Sequence, residues 1–167
     1  MSAIEPVSGR FNVVSGGHPV RAIVDYAHTP DALNHVLDTI NRIRTGNEML
    51  ITVFGCGGDR DKAKRPLMGR IASTLSDKVI FTSDNPRNED PEKIIEQIES
   101  GVPAEYYKKY ISISSRLQAI KTACQLAHKG DIILVAGKGH ETYQDIKGER
   151  LAFDDAKELK QHLQNKN

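Results

Sequence analysis

Four short stretches hold most of the side chains in this sequence that could do chemistry. They are Asp25–Asp31 (DYAHTPD), Gly55–Arg65 (GCGGDRDKAKR), Asp84–Arg87 (DNPR) and Gly137–Glu141 (GKGHE). Together they supply several carboxylates, several cations and the imidazoles of His28 and His140. Cations pair with carboxylates or phosphates, and an arginine fork does so through two parallel hydrogen bonds. Carboxylates in turn pair with amines. The combined set suits a zwitterionic or phosphorylated small molecule. The second stretch is the densest. Gly55, Gly57 and Gly58 are followed by Asp59, Arg60, Asp61, Lys62, Lys64 and Arg65. Its backbone N–H groups, a helix N-terminus and Arg60 could form an anion site, while a plain solvated βα turn is the alternative. It is neither a Walker A loop nor a dinucleotide fingerprint, because Arg60 stands where the last glycine of G-x-G-x-x-G is needed. No nucleophile–base triad and no zinc spacing is recognisable, so no metal ligand is expected. Cys56 has no activating partner in the sequence and is not expected to be catalytic. His140 reads as a supporting residue, and Lys62, Lys64 and Arg65 as solvated.

These stretches need elements to position them, and the apolar pattern supplies those elements. Ile51–Phe54, Val79–Thr82 and Ile132–Ala136 are short runs rich in β-branched or aromatic residues, which reads as buried strands. Phe11–Val14 and Val20–Tyr26 flank Ser15-Gly16-Gly17, a hairpin signal, and a further strand is expected within Tyr106–Ile113. Helical spacing follows at Ala32–Ile43, Leu67–Leu75, Ile94–Ile98, Leu117–Ala127 and before Leu163. Thr29-Pro30, Pro66, Asp90-Pro91, Ser114 or Ser115, and Asp154 or Asp155 provide helix starts, and Gly46-Asn47 an end. Gln144–Phe153 reads as a hairpin turning at Lys147-Gly148-Glu149. Strands alternating with helices imply an α/β fold, a Rossmann-like three-layer sandwich with a mostly parallel sheet and helices on both faces. Ile132–Ala136, the most apolar strand, belongs near its centre. In such a sheet the polar stretches share the carboxyl edge of the strands, where ligands bind.

Composition sets outer limits. The 167 residues fit one domain, with 38% hydrophobic and 27% charged residues. A net charge of +1 gives no electrostatic case for a nucleic-acid or membrane partner. No apolar run reaches the roughly 20 residues of a membrane span, and MSAIEPVSGR lacks the apolar core of a signal peptide. Two cysteines, Cys56 and Cys124, without metal-like spacing point to a reduced, cytoplasmic setting.

The four stretches, in their order along the chain, resemble the C-terminal domain of a Mur ligase. Most similar is the branch that adds meso-diaminopimelate to UDP-N-acetylmuramoyl-L-alanyl-D-glutamate. The resemblance runs from about Gly9 to the last helix. It implies that residues 1–167 are one domain, the amino-acid-binding domain of a three-domain, ATP- and Mg2+-dependent ligase of peptidoglycan synthesis. The UDP-sugar domain and the central ATPase domain would then be its partners, and the isolated chain would be inactive, with no catalytic residue of its own. By similarity, Arg60, Asp84, Asn85, Pro86, Arg87, Gly137 and Glu141 hold meso-diaminopimelate, and Arg10, Asp25 and His28 lie against the ATP. Two other readings stay open. One is a lysine-adding member of the family, against which Arg87 argues. The other is a non-catalytic module that binds diaminopimelate or a nucleotide. Taken alone, Asp84-Asn85-Pro86 is also an ordinary βα turn, and His28 an ordinary helix cap.

Overall fold

The apolar segment Ile132–Ala136 is fully buried and lies third in a six-stranded sheet in the computed structural model, which describes residues 10–14 and 19–166. The strands are β1 (Asn12–Val14), β2 (Arg21–Asp25), β3 (Leu50–Phe54), β4 (Lys78–Phe81), β5 (Tyr110–Ser112) and β6 (Ile132–Ala136). Their order is β1-β2-β6-β3-β4-β5, with every pair parallel except β1 with β2. The Ser15-Gly16-Gly17 turn lies outside the described residues.

Five helices cover the sheet: α1 (Pro30–Ile43), α2 (Lys64–Leu75), α3 (Pro91–Glu99), α4 (Arg116–Leu126) and α5 (Asp155–Gln164). Alternation along the strands divides the core in two. Ile132, Leu134 and Ala136 pack with α1, α2 and α3, whereas Ile133 and Val135 pack with α4 and α5. This is the expected three-layer sandwich. The first three helices carry the chain outward to β5 over one face. Helix α4 returns it over the other, and β6 enters between β2 and β3. The connections therefore diverge beyond the ends of β2, β6, β3 and β4, which is where open α/β sheets form ligand crevices.

The capping signals fix most helix starts. Thr29, Asp90, Ser115 and Asp154 each accept a hydrogen bond from a backbone N–H of the first turn. Several boundaries differ from the sequence reading. Helix α2 begins at Lys64, two residues before Pro66, with no side-chain cap. Helix α1 is capped by Arg44, and Gly46, at φ +101°, lies in the turn beyond. A 3-10 turn spans Ala104–Lys109, shortening the expected strand to Tyr110–Ser112. The terminal hairpin, β7 (Tyr143–Ile146) and β8 (Glu149–Ala152), turns at Lys147 and Gly148, both at positive φ.

One buried ion pair ties the α4–α5 face to the sheet. Arg116, on α4, donates from Nε and Nη2 to the two carboxylate oxygens of Asp155 at 2.8 and 2.7 Å, and neither side chain is exposed. Its remaining N–H groups reach the carbonyls of Ser83 (2.9 Å) and Ala136 (3.3 Å). Removing one partner of such a pair leaves an uncompensated buried charge, which costs about 3–5 kcal/mol. Asp155→Ala is therefore expected to lower unfolding stability by about that amount in urea denaturation. Arg116→Met with Asp155→Leu is expected to recover much of it, because an apolar pair of similar volume removes both charges.

Candidate functional site

Two clefts open on the carboxyl edge of the sheet and meet at Tyr26 and His28. The first, of about 250 Å3, gathers Arg60, Asp84, Asn85, Arg87, Gly137 and Glu141, with Lys64 at its side. The second, of about 770 Å3, is lined by Arg10, Asp25 and His28 and floored by apolar side chains of α1. The polar strand ends therefore sort into two adjoining hollows. Pro86 lines neither. It is buried, and its carbonyl lies where any side chain at Gly58 would clash.

The Asp84–Arg87 turn is built to be rigid. Pro86 fixes its own φ and restricts Asn85. Arg87 adopts φ +50°, a left-handed conformation uncommon for a side chain of its size. Strand β7 holds it there: Arg87 N–H donates to the Asp145 carbonyl (2.9 Å), and Lys147 N–H donates to the Arg87 carbonyl (2.8 Å). Gln144 Nε2 donates to the Asp84 carbonyl at 2.7 Å, and Asp145 N–H donates to Asn85 Oδ1 at 2.9 Å. On the other side, Gly58 N–H donates to the Asn85 carbonyl (2.8 Å), and Arg87 Nη1 donates to the Gly58 carbonyl (2.9 Å). The glycine loop and the terminal hairpin thus clamp the turn between them. The sequence gives no sign that the hairpin serves the site.

The charges in the first cleft are unevenly paired. Lys138 is fully buried and donates to Asn85 Oδ1 (2.8 Å) and Glu141 Oε1 (3.1 Å). Asp84 is buried, and no donor among the described residues hydrogen-bonds its carboxylate. Burial pushes its carboxyl above the ordinary 3.8, while Arg116 and Lys138 pull it back down. A side chain at Gly137, itself at φ +117°, would meet the Asp84 carboxylate, so the backbone passes close there. Arg60 is exposed at the opening, where its Nη1 donates to the Asp59 carbonyl at 3.0 Å.

In the second cleft Asp25 carries a structural duty. Its two oxygens accept from Phe11 N–H and Ala27 N–H, both at 2.7 Å, which fixes the backbone on both sides of the hollow. His28 donates from Nδ1 to the Tyr26 carbonyl at 2.9 Å. A carbonyl only accepts, so Nδ1 carries the proton, and Nε2 of the neutral ring is left as an acceptor. His140 is exposed, with its ring 6.2 Å from that of Tyr26. Cys56 is buried against Met68, and burial pushes its thiol up to about 12, so it remains protonated and unreactive.

The expectation that Arg65 is solvated is wrong. Its side chain is fully buried, donating to both Glu89 oxygens (3.1 and 2.8 Å), to Gln97 Oε1 (2.8 Å) and to the Gly57 carbonyl (2.9 Å). It shapes the glycine loop from below. Lys62 is mostly exposed, as expected, whereas Lys64 donates to the His28 carbonyl at 2.8 Å. Arg65, Lys138 and Arg116 are the site-building residues that motif reading missed. Arg65 and Arg116 had left a signal: each is a cation in the first turn of a helix, where the dipole favours anions, and neither turn contains an acidic residue.

Fold and site together define a doubly wound α/β ligand-binding domain with a charged cleft at its strand ends. The chain belongs to the Mur ligase family: the model of the Mur ligase, glutamate ligase domain matches residues 9–139. It is 55% identical over 161 residues to a UDP-N-acetylmuramoyl-L-alanyl-D-glutamate–2,6-diaminopimelate ligase of Bacteroides thetaiotaomicron, covering 96% of this chain and 33% of the relative. It is 54% identical over 163 residues to the ligase of the same name from Cytophaga hutchinsonii, covering 98% and 33%. The chain thus spans about a third of the length of these curated relatives. A solved structure bearing that ligase name superimposes with a TM-score of 0.86 at 44% identity, over 95% of this chain and 32% of the other. A folylpolyglutamate synthase/dihydrofolate synthase from Yersinia pestis shares the fold, with a TM-score of 0.56 at 23% identity over 78% of this chain and 28% of the other.

The Arg65–Glu89 pair makes a pH-dependent contribution to stability. Hydrogen bonds from Arg65, with help from Asp59 N–H, lower the Glu89 carboxyl from its ordinary 4.5 to about 2. Its stabilisation is therefore complete above about pH 4.5 and is lost as pH falls through about 2. Glu89→Gln is expected to be less stable at pH 7 and to lose less stability than the parent between pH 4.5 and 2. Denaturant unfolding at a series of pH values measures both.

Proposed function

We propose that this chain is the amino-acid-binding, C-terminal domain of a three-domain cytoplasmic ligase. That ligase would use ATP to add meso-diaminopimelate to UDP-N-acetylmuramoyl-L-alanyl-D-glutamate in peptidoglycan synthesis. The names carried by relatives about 55% identical to this chain support the reading. The observation that carries it is the convergence of Arg60, Arg87, Asp84 and Glu141 on one cleft of about 250 Å3.

The distal end of meso-diaminopimelate is itself an amino-acid group, whereas lysine has only an amine there. Arg87 and Arg60 suit the extra carboxylate, since a guanidinium fork matches that geometry. Asp84, Glu141 and the Gly137 carbonyl suit the distal ammonium. The amine at the other centre must stay outside these ion pairs to keep a lone pair for attack. ATP supplies a γ-phosphoryl group that converts the D-glutamate side-chain carboxylate to an acyl phosphate, releasing ADP. The amine adds to the acyl carbon, the C–O bond to phosphate breaks, and the amine loses a proton as the amide forms. Within this chain, Arg10 suits the nucleotide's phosphates, and Asp25 and His28 suit its ribose side. Mg2+ is assigned to domains outside this chain. Among the described residues no group of three or more His, Cys, Asp or Glu is arranged for a metal ion, and no step here runs through one. No helix among the described residues is long and apolar enough to cross a membrane.

In the full-length ligase carrying this domain, Arg87→Ala is expected to weaken the use of meso-diaminopimelate by about 2–5 kcal/mol, the usual cost of truncating one side of a desolvated charge pair. Lysine use should change little. Arg87→Lys should recover only part of the loss, because an ammonium cannot make the bidentate pair. Values of kcat/KM for both amino acids across the three proteins decide it. An equal loss for both substrates would assign Arg87 to the fold.

A further inference from the structure

Lys138 is the one fully buried lysine among the described residues, yet it does not line either cleft. We infer that Lys138 is a positioning residue for substrate selection: it locks the Asn85 amide with its N–H edge toward the cleft and neutralises Glu141 from behind. The inference rests on the diaminopimelate reading of the cleft and extends it to a residue that never touches the ligand.

A buried ammonium is tolerated only among acceptors. Lys138 Nζ has two, Asn85 Oδ1 at 2.8 Å and Glu141 Oε1 at 3.1 Å, and the ring of Tyr143 lies 5.5 Å away. Asn85 Oδ1 also accepts from Asp145 N–H at 2.9 Å. The amide oxygen therefore faces a cation and an amide donor. The amide nitrogen faces the Glu141 carboxylate, with Nδ2 to Oε1 at 3.3 Å. Turning the amide over would set NH2 against an ammonium and a backbone N–H, and oxygen against a carboxylate. All three contacts would then be repulsive, so a single orientation is fixed. In that orientation Nδ2 has a second N–H with no acceptor among the described residues, and Asn85 lines the cleft beside Arg87. Asn85 thus offers a donor, which suits a ligand carboxylate and not a ligand ammonium.

The same lysine alters the balance of negative charge. One oxygen of Glu141 is taken up by Lys138 and Asn85, whereas the Asp84 carboxylate has no hydrogen-bond donor among the described residues. The cleft is therefore polarised. Arg87 and the Asn85 amide mark the carboxylate side, and Asp84 with the second oxygen of Glu141 marks the ammonium side. Lys138 is the group that keeps Asn85 and Glu141 from reversing that order. With Lys138 replaced by a neutral side chain, the amide loses its charged donor, and Glu141 loses the buried cation that balances it.

The test uses the full-length ligase, with KM for meso-diaminopimelate, KM for ATP and kcat measured in each variant. Lys138→Met, close in volume and without charge, should raise the KM for meso-diaminopimelate by about ten- to a hundredfold, the range for losing a hydrogen bond to a charged group. The KM for ATP should stay within about twofold, whereas a merely structural loss would move both. Lys138→Met added to an Asn85→Ala, Glu141→Gln double variant should be no worse than that double variant alone, because the lysine acts through those two groups. Asn85→Asp keeps the acceptor for Lys138 but replaces the cleft-facing donor by an acceptor. It should raise the same KM, and it carries the test if Lys138→Met does not fold. Unchanged diaminopimelate KM in the folded variants, or an additive loss in the triple variant, would overturn the role of Lys138 alone. A parent enzyme that used lysine as well as diaminopimelate would overturn the functional reading and this inference together.

Discussion

The guanidinium of Arg116 is the constraint on which the geometry of the site depends. Strands β4 and β6 are not neighbours, since β3 runs between them. Arg116 bridges them by donating to the Ser83 carbonyl beyond the end of one and to the Ala136 carbonyl at the end of the other. The next residue after each carbonyl is a proposed ligand contact, Asp84 in one case and Gly137 in the other. Asp155 holds the same guanidinium bidentately from α5, with both side chains buried. A buried charge pair of this kind is weak evidence for added stability, but here the guanidinium meets both Asp155 oxygens and two carbonyls at once, which ties their positions together. Here that geometry is the separation of the two loops that carry Asp84 and Gly137.

A second cation does similar work from the opposite face. Arg65 props the glycine loop from beneath through Gly57 and Glu89, and the loop in turn holds the Asp84–Arg87 turn through Gly58. Lys138 occupies the centre. The three buried cations serve different carbonyls and carboxylates, and no two share an acceptor among the described bonds. Water exclusion around them strengthens each interaction, so the groups of the cleft stand on a stiff base while Arg60 lies exposed at the rim.

Much of this was legible in the sequence. The short continuous apolar runs and the capping residues Thr29, Asp90 and Ser115 specify the layers, because each is a local signal with a local cause. The polar clusters at strand ends predicted the shared edge, since a parallel sheet leaves them nowhere else to lie. Strand order was not legible, because the placement of β6 between β2 and β3 depends on long-range pairing. Arg65 was misread because a run of charges reads as solvated, and only the tertiary position of Glu89 and Gln97 shows otherwise. The terminal hairpin gave no hint of its contact with Arg87, which joins backbone hydrogen bonds to an Arg87–Asp145 ion pair at 4.0 Å and depends on long-range placement.

The central claim is that the cleft formed by Asp84, Asn85, Arg87 and Glu141 reads the amino-acid group at the far end of meso-diaminopimelate. Its most direct test is a titration of the protein with meso-diaminopimelate and, separately, with lysine, followed by amide chemical shifts. Saturable shifts at Gly57, Asn85, Arg87 and Gly137 with meso-diaminopimelate, and much weaker ones with lysine, are expected. Equal responses to both amino acids, or shifts centred away from these four residues, would contradict it.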